Sequence, residues 1–105
     1  MKVLLVPIVG AALVAADAAT AQSADELLKK HGCTACHAVD KKLVGPAYLE
    51  VATKYKGDAK AQAVVIERVK KGSVGIWGQI PMPPNTQVAD ADIKTMVSHV
   101  LGLKK

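Results

Sequence analysis

The sequence predicts an all-α, single-domain protein, and three observations carry that prediction. Helix start and stop signals recur along the chain, strand-like alternation is scarce, and the C-terminal segment carries one continuous apolar stripe at helical spacing. The 105 residues hold no repeat, no low-complexity tract and no internal linker.

Residues 1–21 read as a leader. Met1 and Lys2 give a small positive start, and an alanine-rich apolar run follows from Val3 to Ala16. Ala19-Thr20-Ala21 is then an A-x-A cleavage signal. The run is too short to span a bilayer comfortably. An uncleaved anchor is the alternative reading, and Ala16-Asp17-Ala18 is a weaker second cleavage site. The expectation is a cleaved signal peptide over 1–21, a folded domain over 22–105, and export to the periplasm.

Ser23-Ala24-Asp25-Glu26 has the form of a capping box, serine at the cap and glutamate three on. It opens a short helix with Leu27 and Leu28 inward, stopping near Gly32. Gly45-Pro46 starts the next helix, with Pro46 acceptable in a first turn. Tyr48, Leu49, Val51, Ala52 and Tyr55 give it an apolar face, and Gly57 ends it. Asp58 caps a third helix to about Lys71, with Val64, Val65 and Val69 inward and Gly72 closing it.

Residues 72–88 differ: three glycines, three prolines and no helical period make a loop long enough to need a job. In the last helix Ile93, Met96, Val97, Val100 and Leu101 stand at i, i+3, i+4, i+7 and i+8. Ala89 occupies the position where a capping residue is expected, and Asp90 is the available substitute.

The chemistry is concentrated in Cys33-Thr34-Ala35-Cys36-His37. Two thiols three positions apart with a histidine directly behind form the attachment signature of a c-type haem. Each thiol adds across one of two vinyl groups on the same edge of the macrocycle. A short turn presents both sulfurs to that edge, and the next side chain, His37, comes up beneath the ring to bind iron. A thioredoxin-like redox pair would want a βαβ context, which is missing. A closed zinc site would want further ligands at similar spacing, and there is no third cysteine.

A six-coordinate iron needs a second axial ligand, from among His31, His99, Met82 and Met96. Met96 lies in the apolar stripe and reads as core. His31 is too near the attachment turn to cross the ring plane, and His99 falls off the stripe. Met82 remains, in Ile80-Pro81-Met82-Pro83-Pro84-Asn85, where the prolines stiffen the backbone so that a weak thioether bond need not order a floppy loop. Ligation by His37 and Met82 would raise the potential relative to two histidines. It would also leave no open site for oxygen or peroxide chemistry, which favours a carrier over an enzyme.

A domain this small buries a limited core, and a bulky apolar macrocycle bonded to the chain would complete it. A disulfide between Cys33 and Cys36 would close too small a loop to contribute much. The leader takes one charge of each sign, Lys2 and Asp17, from 14 basic and 9 acidic residues, so the balance stays at +5. Two haem propionates would lower it to about +3. A basic surface suits an acidic partner. Nucleic-acid binding would share that balance, but the chain has few aromatics, one arginine and no motif for it.

Taken together, the chain resembles the small bacterial class I cytochromes c of the cytochrome c-551 type. The resemblance covers nearly all of 22–105 and rests on Gly32-Cys33, Cys36-His37, Val44-Gly45-Pro46-Ala47-Tyr48, Arg68, Gly75-Ile76-Trp77-Gly78 and Pro81-Met82-Pro83-Pro84-Asn85. It implies a compact class I cytochrome c fold, four to five helices wrapped around one covalently bound haem c. It implies that the Pro46 carbonyl accepts a hydrogen bond from His37 Nδ1. It further places Arg68 and Trp77 Nε1 near a propionate and the Asn85 side chain near the Met82 sulfur. Leu28 and Tyr55 stand where such proteins often have phenylalanine, and a second tryptophan often stands near His99. These departures touch packing more than ligation.

The implied function is that of a monomeric periplasmic carrier in a respiratory chain, moving single electrons between larger redox proteins without catalysing a reaction itself. Quinol-oxidising complexes, terminal oxidases, nitrite reductases and peroxidases are the implied partner classes. Two rivals stay open at this point: an enzyme or gas sensor in which Met82 dissociates, and a haem-free thiol or metal-binding module.

Overall fold

The computed structural model describes residues 22–104, and the expected leader lies outside them. Four α-helices and one short 3-10 turn are present in that span: α1 (Ala24–Lys30), the turn Cys33–Ala35, α2 (Tyr48–Lys54), α3 (Ala61–Lys71) and α4 (Asp90–Leu101). The all-α expectation is met. The only β-type pairings among the described residues are two isolated bridges, His37 with Lys42 and Ser73 with Met82.

The capping box at the start of α1 forms as the sequence predicts. The Glu26 amide donates to Ser23 Oγ at 3.2 Å, and the Ser23 amide donates to Glu26 Oε1 at 2.9 Å. Leu27 and Leu28 are buried. The chain leaves α1 through Gly32 at φ 76°, a left-handed conformation that glycine adopts without penalty. That turn delivers the chain directly into the cysteine segment.

α2 begins later than expected, at Tyr48 with Ala47 as its cap, so Pro46 lies outside the first turn. The start is displaced because other groups already serve the amides there. Glu50 Oε1 accepts from the Ala47 amide, while Ala38 and Val39 carbonyls accept from Tyr48 and Leu49.

α3 also starts past its expected cap. Asp58 Oδ1 instead accepts from the Lys60 amide, closing a turn before the helix. Its inward stripe runs through Ala61, Val65 and Val69, at i, i+4 and i+8, and this turns Val64 to solvent, contrary to expectation. Gly72, at φ 87°, ends the helix as expected.

Asp90 does not cap α4. It is the first helical residue, and its carboxylate pairs with Lys70 Nζ at 3.0 Å, tying the start of α4 to the end of α3. Ile93 is fully buried and Met96, Val97 and Val100 nearly so. With Leu27, Leu28, Tyr48 and Val88 they form one hydrophobic cluster. α4 packs against each of the other three helices and is the backbone of the core. Two histidines join it to α1: His31 Nε2 lies 3.4 Å from Asp92 Oδ2, and His99 Nε2 lies 3.4 Å from Asp25 Oδ1.

Candidate functional site

The 3-10 turn sets the spacing of the motif. Cys36 and His37 amides both donate to the Cys33 carbonyl, at 3.2 and 3.1 Å, so Cys33, Cys36 and His37 follow one another around a tight turn. All three line a cavity of about 280 Å³. Pro46, Arg68, Trp77 and Met82 line the same cavity, so it gathers seven of the eight residues singled out from the sequence. Its walls are mostly apolar, with aliphatic side chains that include Leu28, Val51, Val65, Val69, Val97 and Val100. No charged side chain is buried among the described residues.

Three neighbours fix the His37 ring. Nδ1 lies 2.7 Å from the Pro46 carbonyl oxygen. A carbonyl only accepts, so Nδ1 carries the proton and Nε2 is left with its lone pair, the form that binds a metal. The Tyr48 ring stacks on the imidazole at a centroid distance of 5.3 Å and an interplanar angle of 24°. Gly45 closes the remaining side: a Cβ there would sit 2.5 Å from His37 Cε1 and 3.0 Å from Nδ1. The late start of α2 matters here, because Pro46, outside the helix, has its carbonyl free for His37.

Met82 is held by its backbone. Its amide donates to the Ser73 carbonyl at 2.7 Å and its carbonyl accepts from the Ser73 amide at 3.0 Å. Gly72 permits this approach, since a side chain there would place Cβ 2.9 Å from Met82 O. Asn85 then fastens the loop to α3. Its backbone amide donates to the Val69 and Lys70 carbonyls, which the end of the helix leaves unpaired. Its Nδ2 donates to Val69 O at 2.9 Å and Pro83 O at 3.3 Å. Asn85 is the one singled-out residue outside the cavity lining, and its amide hydrogens are used on these carbonyls.

At the far end of the cavity wall, Arg68 Nη1 donates to the Tyr55 hydroxyl at 2.5 Å. Trp77 is partly exposed, with Lys54 Nζ 5.6 Å from its ring centroid. Burial pushes the ionisation of a free Cys33 thiol up from its ordinary value. Two features escape sequence reading altogether. One is the Ser73 pairing with Met82, which no residue pattern announces. The other is the Tyr48 hydroxyl, buried with no hydrogen-bond partner among the described residues.

These residues fit a haem. The cavity is lined by aliphatic side chains, an imidazole offers a lone pair, a thioether is held on a stiff loop, and two thiols stand on one turn. The cradle around His37 and the orphaned hydroxyl of Tyr48 are further marks of a site built for a group bonded into it.

Comparison with known proteins agrees. The cytochrome c family model matches residues 21–104. Among curated relatives, cytochrome c-551 of Allochromatium vinosum is 56% identical over 77 residues, covering 73% of this chain and 82% of that protein. Cytochrome c-551 of Pseudomonas aeruginosa is 49% identical over 89 residues, covering 85% of each chain. The crystal structure of Nitrosomonas europaea cytochrome c552 superposes with a TM-score of 0.74 at 48% identity, covering 76% of this chain and 99% of that one. The fold and the sequence thus lead to one conclusion: this chain belongs to the cytochrome c family, as a small class I c-type cytochrome with one covalently bound haem c and a role in electron transport.

Proposed function

We propose that this protein is an exported, periplasmic single-electron carrier, with His37 and Met82 as the axial ligands of a haem held by thioether bonds to Cys33 and Cys36. The observation that carries the reading is the convergence of those four residues on one cavity from segments 45 residues apart, each fixed by its own local device. When bound, the haem supplies a one-electron Fe(II)/Fe(III) couple.

Everything else is done by the chain. Pro46 holds the His37 proton on Nδ1 and keeps Nε2 aimed for ligation. The Ser73–Met82 pairing and the flanking prolines hold the thioether in place through both oxidation states, so little rearranges on electron transfer. Arg68 and Trp77 line the cavity, and the family resemblance makes them the donors proposed for a propionate. Asn85 anchors the ligand loop from behind.

The mouth of the cavity suits a carrier. Leu43, Val44, Val74 and Ile80 line it, apolar side chains that a docking redox partner would meet beside the haem. Redox proteins are therefore the expected partners, of the respiratory classes named above. The leader reading of 1–21 supports export, and no helix among the described residues is long and apolar enough to cross a membrane.

Acid–acetone extraction and optical spectra test this reading. Haem should stay with the polypeptide after denaturation, and the oxidised protein should show a sulfur-to-iron charge-transfer band. Haem released into the solvent would refute attachment through Cys33 and Cys36. Retained haem with no such band and rapid CO or peroxide binding would refute Met82 ligation and favour the sensor or enzyme.

A further inference from the structure

Tyr48 is 6% exposed, stacks on His37 and lines the cavity, yet its hydroxyl has no hydrogen-bond partner among the described residues. It is the only buried side-chain polar atom there in that condition. Native interiors rarely leave such a donor unmade, because desolvating a hydroxyl without a partner is costly. Phenylalanine would give the same stacking surface without that cost, so the hydroxyl needs a function. No carbonyl or carboxylate among the described residues serves it. Cys33 packs against the hydrophobic cluster that contains Tyr48, and Cys33 and Cys36 line the same cavity as its ring.

We propose that the Tyr48 hydroxyl is a positioning and tuning group for the cofactor: in the haem-loaded protein it donates a hydrogen bond to the sulfur of Cys33 or Cys36. The inference rests on the thioether reading above, because only haem attachment fixes those sulfurs at the ring edge as acceptors with no proton of their own. Thioether sulfur is a weak acceptor, but in a dry apolar cavity a weak partner is better than none. The bond would turn the positive end of the O–H dipole toward the ring edge. That orientation favours the more electron-rich, reduced state and so raises the reduction potential.

The test uses the purified haem-loaded protein and its Tyr48→Phe variant, which keeps the ring stacked on His37. The first readout is the reduction potential, which should shift downward in the variant. The second is the tyrosine doublet in the ultraviolet resonance Raman spectrum of the unmodified protein, isolated by difference against the variant, or against Tyr55→Phe if Tyr48→Phe fails to fold. It should show a hydroxyl acting as a donor. An unchanged or raised potential, or a doublet typical of a non-donating hydroxyl, overturns the proposal whichever way the denaturation midpoint moves. Failure of the underlying reading looks different: haem would then be stripped from the unmodified protein by acid–acetone.

Discussion

At the scale of single residues, Gly45 and Met82 carry the sharpest consequences. A methyl group at Gly45 would come within 2.5 Å of His37 Cε1, and the imidazole has nowhere to retreat between the Pro46 carbonyl and the Tyr48 ring. Gly45→Ala should therefore cost about 1–3 kcal/mol, as overpacking of a tight site does. A denaturant midpoint measured on the haem-loaded variant checks this, and an unchanged midpoint would show that the ring is free to move. The axial assignment makes a separate contrast. Met82→His should lower the reduction potential, since a second imidazole favours Fe(III). Met96→Leu, a volume-conserving swap in the buried stripe of α4, should leave the potential in place and cost less than about 1.5 kcal/mol. Potentiometry on the two variants separates ligand from core, and a reversed pattern would move the ligand to Met96.

At the scale of elements, the site depends on where helices begin and end. Asn85 joins the ligand loop to the last turn of α3 through its side chain and its backbone. Asn85→Ala removes only the side-chain part, so a loss of about 0.5–1.5 kcal/mol is expected. Because the loop carries Met82, the sulfur-to-iron band should bleach at lower temperature than in the parent while helix content still holds. Coincident loss of band and helix would show that Asn85 steadies the whole domain instead. The same boundaries explain what the sequence made legible. The capping box at Ser23, the stripe of α4 and the glycine at 72 are written in short local patterns of the sequence, and they appear as read. The starts of α2 and α3 lie later than their local signals put them, and Asp90 does not cap α4, because these outcomes are settled by distant or competing groups. Ala38 and Val39 carbonyls serve the first amides of α2, Asp58 closes a turn of its own, and Lys70 draws Asp90 away from capping. The cysteine–histidine motif was legible because covalent chemistry fixes its spacing. Ser73 and the orphaned Tyr48 hydroxyl were not, since tertiary pairing and an absent partner leave no mark on a linear pattern.

At the scale of the whole molecule, the cofactor is part of the core. Val65, Val69 and Val97 line the cavity proposed to hold the haem, so a chain without it would present those side chains to water. The apoprotein should show little helix and no cooperative melt by far-ultraviolet circular dichroism. Native-like helix content would mean that the α1–α4 cluster folds unaided. Charge sets the behaviour of the loaded protein in solution. The chain carries a formal net charge of +5, Lys42 lines the cavity and Lys54 stands beside Trp77 on its wall. A positive field at the open edge should draw in anionic electron acceptors and repel cationic ones. Stopped-flow oxidation of the reduced protein by hexacyanoferrate(III) should slow as salt rises, because screening shortens the reach of that field to about 10 Å at 0.1 M. Oxidation by a tris-phenanthroline cobalt(III) cation should accelerate over the same range. Opposite salt slopes for the two probes would locate the lysine field at the electron-transfer edge. Flat rates for both would mean that these lysines only solubilise the surface, and that partners dock by apolar contact.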